Sequence, residues 1–221
     1  MSSSDATSHQ DQPWIDITSS NPYPLHHFVI PSHYSLDLSS VLIPHGLVQD
    51  RIVSLAHRIV ADTDGPLTCI CVLKGGHQFF ADLVGWIKRL RGGKSMQMSL
   101  EFLRVKSYVG MEAGEVSISL SEEECRELKG RNVLIVEDIV DTGNTMLALL
   151  KKLGQYEPAS VKVASLLLKK TTRSRGYVPD YVGFAIPDLF VVGYCLDYNE
   201  YFRDLDHICV ISEHGKEAYA Q

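Results

Sequence analysis

Residues 132–145 read NVLIVEDIVDTGNT, and the order of chemistry along them decides the fold. Val133, Leu134, Ile135 and Val136 make a continuous apolar run of the length of a buried parallel strand. An acidic loop with Glu137, Asp138 and Asp141 follows, then the small polar turn Thr142, Gly143, Asn144 and Thr145. Residues 146–153 (MLALLKKL) have the apolar spacing of a helix, predicted to end near Gly154. In an open α/β sheet, ligands bind outside the carboxyl ends of the strands, where such a loop falls.

The same alternation extends outward from this stretch. Upstream, residues 67–73 (LTCICVL) read as a short buried strand broken by Lys74-Gly75-Gly76, residues 77–90 as a helix ended by Arg91-Gly92-Gly93, and residues 98–104 as another strand. Residues 46–62 place Val48, Ile52, Leu55, Ala56 and Ile59 at helical spacing. Residues 106–124 are poor in apolar side chains and read as a long mobile loop, a length that in compact domains usually serves function. Downstream come a buried strand at 161–168 (VKVASLLL), a basic loop at 169–176 (KKTTRSRG), and short strands at 181–184, 191–195 and 208–211. These elements predict an α/β fold with a twisted, mainly parallel sheet of about five strands. The last segments read as a cap over the strand ends. Residues 1–20 read as a loose tail, and 21–45, with scattered prolines and aromatics, as an irregular segment packed on the body.

At 221 residues the chain suits one domain with a small appended lobe. A net charge of −6 argues against nucleic acid or an anionic membrane as the partner, though not against a small anion held by loop amides, a metal and a few lysines. The five cysteines are scattered, lie mostly in apolar runs and form no CxxC, as expected of reduced thiols in a cytoplasmic protein. No apolar run has the length of a membrane span, and the polar N-terminus has no signal-peptide core.

Three clusters carry candidate chemistry. A turn of small and hydroxyl residues opening a helix, as at 141–145, offers backbone N–H groups and the positive end of a helix dipole to a phosphate monoester; it is equally a plain helix cap. The adjacent Glu137 and Asp138 suit a hard divalent cation or a diol such as ribose, or are ordinary acids at a solvated strand end. Lys74 beside Gly75 suits a diphosphate, although a simple strand-to-helix turn has the same composition.

VEDIVDTGNT resembles the signature of the type I phosphoribosyltransferases. Further stretches, IPHGLVQDR (43–51), CVLKGGHQFFADLV (71–84), EFLRVKSY (101–108), NVLIVEDIVDTGNTM (132–146) and residues 161–216, resemble the animal-type members that act on 6-oxopurines. The resemblance covers most of the chain beyond about residue 25. It implies a parallel sheet core at about 46–171 with helices on both faces, under a hood from about 21–45 and 172–221. It also implies a purine-salvage enzyme that joins hypoxanthine or guanine to phosphoribosyl diphosphate, with Mg²⁺, giving IMP or GMP and diphosphate. Glu137 and Asp138 would hold the ribose hydroxyls, directly or through Mg²⁺, and residues 141–145 the 5′-phosphate. Asp141 would face purine N7 as general base or acid. Lys74, Gly75 and Arg203 would meet the diphosphate, with a cis peptide at Lys74, and Ser107 and Tyr108 would begin a loop that closes over the site. Lys169 would donate to the 6-oxo group, Phe190 would stack on the base, and the Val191 backbone would read its edge. Asp197 would help bind a second Mg²⁺. A dimer or tetramer is implied, with the helix carrying Phe79, Phe80 and Trp86 as a plausible interface unless those rings are core.

The chain departs from the family pattern where Asn144 replaces a usual Lys or Arg and Leu189 a common Lys. The first implies weaker phosphoribosyl diphosphate binding; the second makes the base-binding rim less basic. Taken singly, each residue has a plainer reading: Lys169 as a solvated lysine, Phe190 as core, Asp197 as a turn residue, Arg203 as a surface ion pair. His77, His207 and His214 show no metal-ligand spacing. The alternative function is a weakly active or non-catalytic relative that binds a purine nucleotide or phosphoribosyl diphosphate as a sensor.

Overall fold

In the computed structural model, residues 13–91, 97–107 and 116–221 are described. Their elements are β1 (Ile15–Asp16), β2 (Leu38–Ile43), α1 (His45–Ala61), β3 (Leu67–Leu73), α2 (His77–Leu90), β4 (Met98–Ser107), β5 (Val116–Ile118), α3 (Glu122–Arg126), β6 (Asn132–Val140), α4 (Asn144–Gly154), β7 (Ser160–Lys169), β8 (Tyr181–Ile186), β9 (Val191–Val192), β10 (Ile208–Ile211) and α5 (Glu213–Ala218). The main sheet has the order β1-β8-β7-β6-β3-β4-β5. All its pairings are parallel except β4 with β5 at one edge.

Central parallel strands are apolar on both faces because each face is covered. On one face, Cys69, Cys71, Leu134, Val136, Ala164 and Leu166 meet the apolar sides of α1 and α2. On the other, Ile70, Val72, Val133, Ile135 and Val163 meet Met146, Leu149 and Leu153 of α4. The five apolar positions expected of α1 are all buried, as its helical spacing requires.

A second, antiparallel sheet, β2-β10-β9, forms the hood over its own core of Tyr34, Leu38, Val41, Val192, Phe202 and Leu205. The hood is tied to α1, where the His45 backbone N–H donates to His207 Nδ1 at 3.0 Å. Both chain ends contribute, β2 from one and β9 and β10 from the other, as expected.

Several boundaries are corrected. β6 does not stop at Val136 but runs on through both acids to Val140, because Glu137, Ile139 and Val140 stay in register with Ser165, Leu167 and Leu168 of β7. The ladder overrides the low strand propensity of the acids. β7 likewise includes Lys169. β8 is not part of a cap: it pairs parallel with β7 in the main sheet, which carries the core past residue 171. Of the expected loose tail at 1–20, Ile15 and Asp16 pair with β8, and residues 1–12 lie outside the described residues. Within 106–124 lie β5 and α3, the latter started by a capping box between Ser121 and Glu124; residues 108–115, the middle of the expected loop, lie outside the described residues. The 21–45 segment supplies β2, and α5 had no counterpart in the sequence reading. Phe79 and Phe80 are buried in the core, and Trp86 packs partly buried against the same cluster.

Candidate active site

Parallel pairing brings the carboxyl ends of β3, β6 and β7 side by side, so residues far apart in the chain share one cleft. Leu73–Lys74 at the end of β3 is a cis peptide. Gly75 then lies so close to β6 that a Cβ there would fall 1.6 Å from Asp138 Oδ2. A side chain there would have to push the Asp138 carboxylate aside, so glycine lets the Lys74–Gly75 backbone rest against the acid pair as it stands.

Glu137 and Asp138 occupy the end of β6. Their carboxyl groups hydrogen-bond locally: Glu137 Oε1 accepts from Asp138 N at 3.1 Å, and Asp138 Oδ1 accepts from Ile139 N at 2.7 Å. Burial, then the neighbouring Asp138 charge, pushes Glu137 well above the ordinary carboxylate range. Burial raises Asp138 too, opposed by hydrogen bonds and by Arg203. Excess negative charge in a desolvated spot fits a hard cation or a diol, the donors and charge such oxygens lack.

The turn after β6 sets up α4. Gly143 caps the helix with φ +84°, a left-handed conformation that an L side chain resists. Among the cap contacts, Thr142 Oγ1 accepts from Asn144 N at 3.4 Å. The first-turn N–H groups of α4 point out at the helix's positive end.

Asp141 sits in a knot of alternating charge. Lys169 Nζ is 3.5 Å from its Oδ2, and Arg173 is 3.6 Å from its Oδ1. Asp188 closes the knot, 3.9 Å from Lys169 and 3.7 Å from Arg173. Asp141 Oδ1 is buried yet has no hydrogen-bond partner. A buried carboxylate oxygen left so is an acceptor waiting for a donor. Lys169, at 11 % side-chain exposure, is not a solvated surface lysine.

The hood supplies the opposite wall. Arg203 donates to Cys195 O at 2.7 Å and pairs with Asp197 at 2.9 Å and Glu200 at 3.2 Å. Glu200 also takes Lys74, at 2.8 Å, so both candidate diphosphate cations meet on one carboxylate. Phe190 is 44 % exposed, with Tyr198 edge-on at 5.3 Å, which sets it apart from a core aromatic. Val191 is buried and pairs with Val210. Between the exposed Asp188 and Phe190, Leu189 is partly buried and packs against the core cluster.

The structure therefore brings Lys74, Gly75, Glu137 and Asp138 together, and separately Asp141 with Lys169. Asp197 does not join the acid pair: among the described residues no three His, Cys, Asp or Glu side chains converge as a metal cage. Ser107 ends β4, paired with Val116, and Tyr108 lies outside the described residues. Asp188, Arg173, Arg175 and Glu200 were not among the residues expected from sequence. Their only signal was proximity, in the basic loop or next to named positions.

Residues 43–199 match the phosphoribosyl transferase domain model. The chain is 52 % identical over 212 residues to the hypoxanthine-guanine phosphoribosyltransferases of Mus musculus and Homo sapiens, covering 94 % of this chain and 97 % of each relative. It is also similar to the crystal structure of the hypoxanthine-guanine phosphoribosyltransferase from Schistosoma mansoni in complex with IMP, with a TM-score of 0.77 at 40 % identity, covering 93 % of this chain and 98 % of that one.

Proposed function

The chain belongs to the phosphoribosyltransferase family, and from that premise we propose that its cleft transfers the 5-phosphoribosyl group from phosphoribosyl diphosphate to hypoxanthine or guanine. The observation that carries the purine assignment is the buried, unbonded Oδ1 of Asp141 beside the nearly buried Lys169. Together they offer one acceptor and one cationic donor, the pair that a 6-oxopurine with a proton on N7 requires.

In this reading, purine N9 forms a bond to ribose C1′ as the C1′–O bond to diphosphate breaks. The electron pair of that bond leaves with the diphosphate. The proton on N7 passes to Asp141. Lys169 donates to O6, and adenine, which presents an amino donor there, is disfavoured. Phe190 stacks on the base and Val191 lies along its edge. The turn 141–145 receives the 5′-phosphate at the N-terminus of α4. Lys74, the Gly75 backbone and Arg203 bind the diphosphate. Glu137 and Asp138 bind the ribose hydroxyls, and their negative charge stabilises positive charge developing at C1′.

The acid pair also fits Mg²⁺, which commonly uses one or two carboxylates together with substrate phosphates rather than a full protein cage. Mg²⁺ bound there would neutralise charge on the departing diphosphate. Asp197 would be able to hold a second ion only by giving up its contact with Arg203. Cytoplasmic residence is supported by the five free cysteines, a pattern suited to a reducing compartment. Among the described residues no helix is long and apolar enough to cross a membrane. The proposal includes a homodimer or homotetramer; of the α2 aromatics Phe79 and Phe80 are buried in the core, and Trp86 is only partly buried.

The test is a coupled assay with hypoxanthine, guanine, xanthine and adenine, each with phosphoribosyl diphosphate and Mg²⁺. Product from hypoxanthine and guanine is expected. Product from adenine alone would overturn the role of Lys169, and nucleotide binding without product from any base would turn the site into a sensor.

A further inference from the structure

The turn that receives the phosphate in the reading above carries no cation of its own, since Thr142, Gly143, Asn144 and Thr145 are all neutral. Amides and hydroxyls satisfy the geometry of a phosphate monoester but leave its charge to the helix dipole. A cation reaches this turn from another part of the chain. In the loop after β7, Arg175 N donates to Thr142 O at 2.9 Å, and its guanidinium Nε donates to Asn144 Oδ1 at 3.2 Å. The first bond pins the Arg175 backbone to the turn; the second holds the guanidinium at the first residue of α4. Within the same loop Lys169 and Arg173 face Asp141 instead, so the loop lays its cations along the turn position by position.

We propose that Arg175 is the 5′-phosphate-binding cation of this enzyme, and that Asn144 acts as the bracket that aims it. A guanidinium held through Nε keeps the NH1 and NH2 donors of its planar fork for phosphate oxygens, the geometry for which arginine is suited. The assignment rests on the reading of the turn as the phosphate site. It also gives Asn144 a purpose that an uncharged residue at the mouth of an anion site otherwise lacks.

The test compares IMP with inosine, which differ by the phosphate alone, using calorimetry on the full-length protein. Arg175→Ala is expected to weaken IMP binding about 10-fold, the effect of losing one charge-assisted hydrogen bond, while inosine binding stays as in the parent. The KM for phosphoribosyl diphosphate should rise in parallel and that for hypoxanthine should not. Adding Asn144→Lys to Arg175→Ala, which returns a cation to the turn, should recover most of the lost IMP affinity. Equal weakening of IMP and inosine would mean a purely structural arginine and would overturn the proposal, as would an unchanged IMP affinity. If the parent itself bound IMP no better than inosine, the phosphate site would be wrong and this inference would fall with it. Arg175 is exposed, so its variants should fold, and circular dichroism would verify that.

Discussion

Asp141 is surrounded by charges that balance it without bonding it fully. Lys169 and Arg173 stand 3.5 and 3.6 Å from its oxygens, longer than good hydrogen bonds, and Oδ1 stays without a donor. That arrangement leaves Oδ1 an acceptor for a donor brought by the substrate. Asp141→Asn is expected to lower kcat by roughly 10²–10⁴-fold, the usual size of a general acid–base contribution, when read by rapid quench so that chemistry is observed. Near-parental chemistry in that experiment would remove Asp141 from proton transfer. Glu137 makes the complementary case. Its folded-state pKa is raised by burial and then by Asp138. Between the unfolded carboxylate pKa and the raised folded one, the folded state holds more protons, so stability falls as pH rises through that window. Glu137→Gln should therefore raise the melting temperature of the ligand-free protein at neutral pH, by roughly 2–4 °C if the relief is about 1 kcal/mol. The gain should vanish below the unfolded pKa of about 4.3, and the same variant should bind phosphoribosyl diphosphate with Mg²⁺ more weakly. Destabilisation at neutral pH would show that the native contacts of Glu137 outweigh its desolvation.

At the scale of elements, sequence and structure agree wherever burial is uniform. β3, α2 and β10 fall where their apolar runs and periods put them, because a covered strand or an amphipathic helix writes its partner into its own composition. Disagreement gathers where a neighbour imposes the conformation. β6 stays extended through Glu137 and Asp138 only because β7 pairs with it, and β1 is a strand of two residues that exists only beside β8. The candidate site was legible along β6 and its turn, where one contiguous motif holds several of the proposed roles. Glu200, Arg175 and Asp188 act through contacts with residues distant in sequence, and nothing local marks such contacts. Gly75 shows how tightly two elements can be keyed: the end of β3 approaches β6 within less than a side chain's width of Asp138. In Gly75→Ala the new methyl group must displace the Asp138 carboxylate. The expected outcome is a fall of roughly 10-fold or more in kcat/KM for phosphoribosyl diphosphate, since misplacement of a positioned group by about 1 Å carries costs of that order or greater. The far-ultraviolet circular dichroism should stay native, as the change lies in a solvent-facing loop. An active Gly75→Ala would mean that Asp138 does not need its present position.

Over the whole molecule, core and hood meet across the cleft through contacts of two kinds. One set is structural: Tyr194 of the hood donates to Asp82 of α2, and Gln49 of α1 reaches the Tyr194 hydroxyl at 3.3 Å. The other lies in the cleft itself, where Glu200 of the hood segment takes both Lys74 from the core and Arg203. These two cations hold the Glu200 carboxyl below the ordinary carboxylate range. The same two are the proposed partners of diphosphate, so an incoming diphosphate and Glu200 compete for them. Replacing Glu200 with Gln removes the competing charge while keeping a side chain of the same shape. Product inhibition by diphosphate should then tighten by roughly 2–5-fold, a modest change because exposed ion pairs contribute little. Raising the ionic strength to about 1 M, where the screening length drops to about 3 Å, should shrink the difference between parent and variant. Weaker inhibition in Glu200→Gln would reverse the assignment: Glu200 would then be holding Lys74 and Arg203 in position for the ligand rather than keeping them from it.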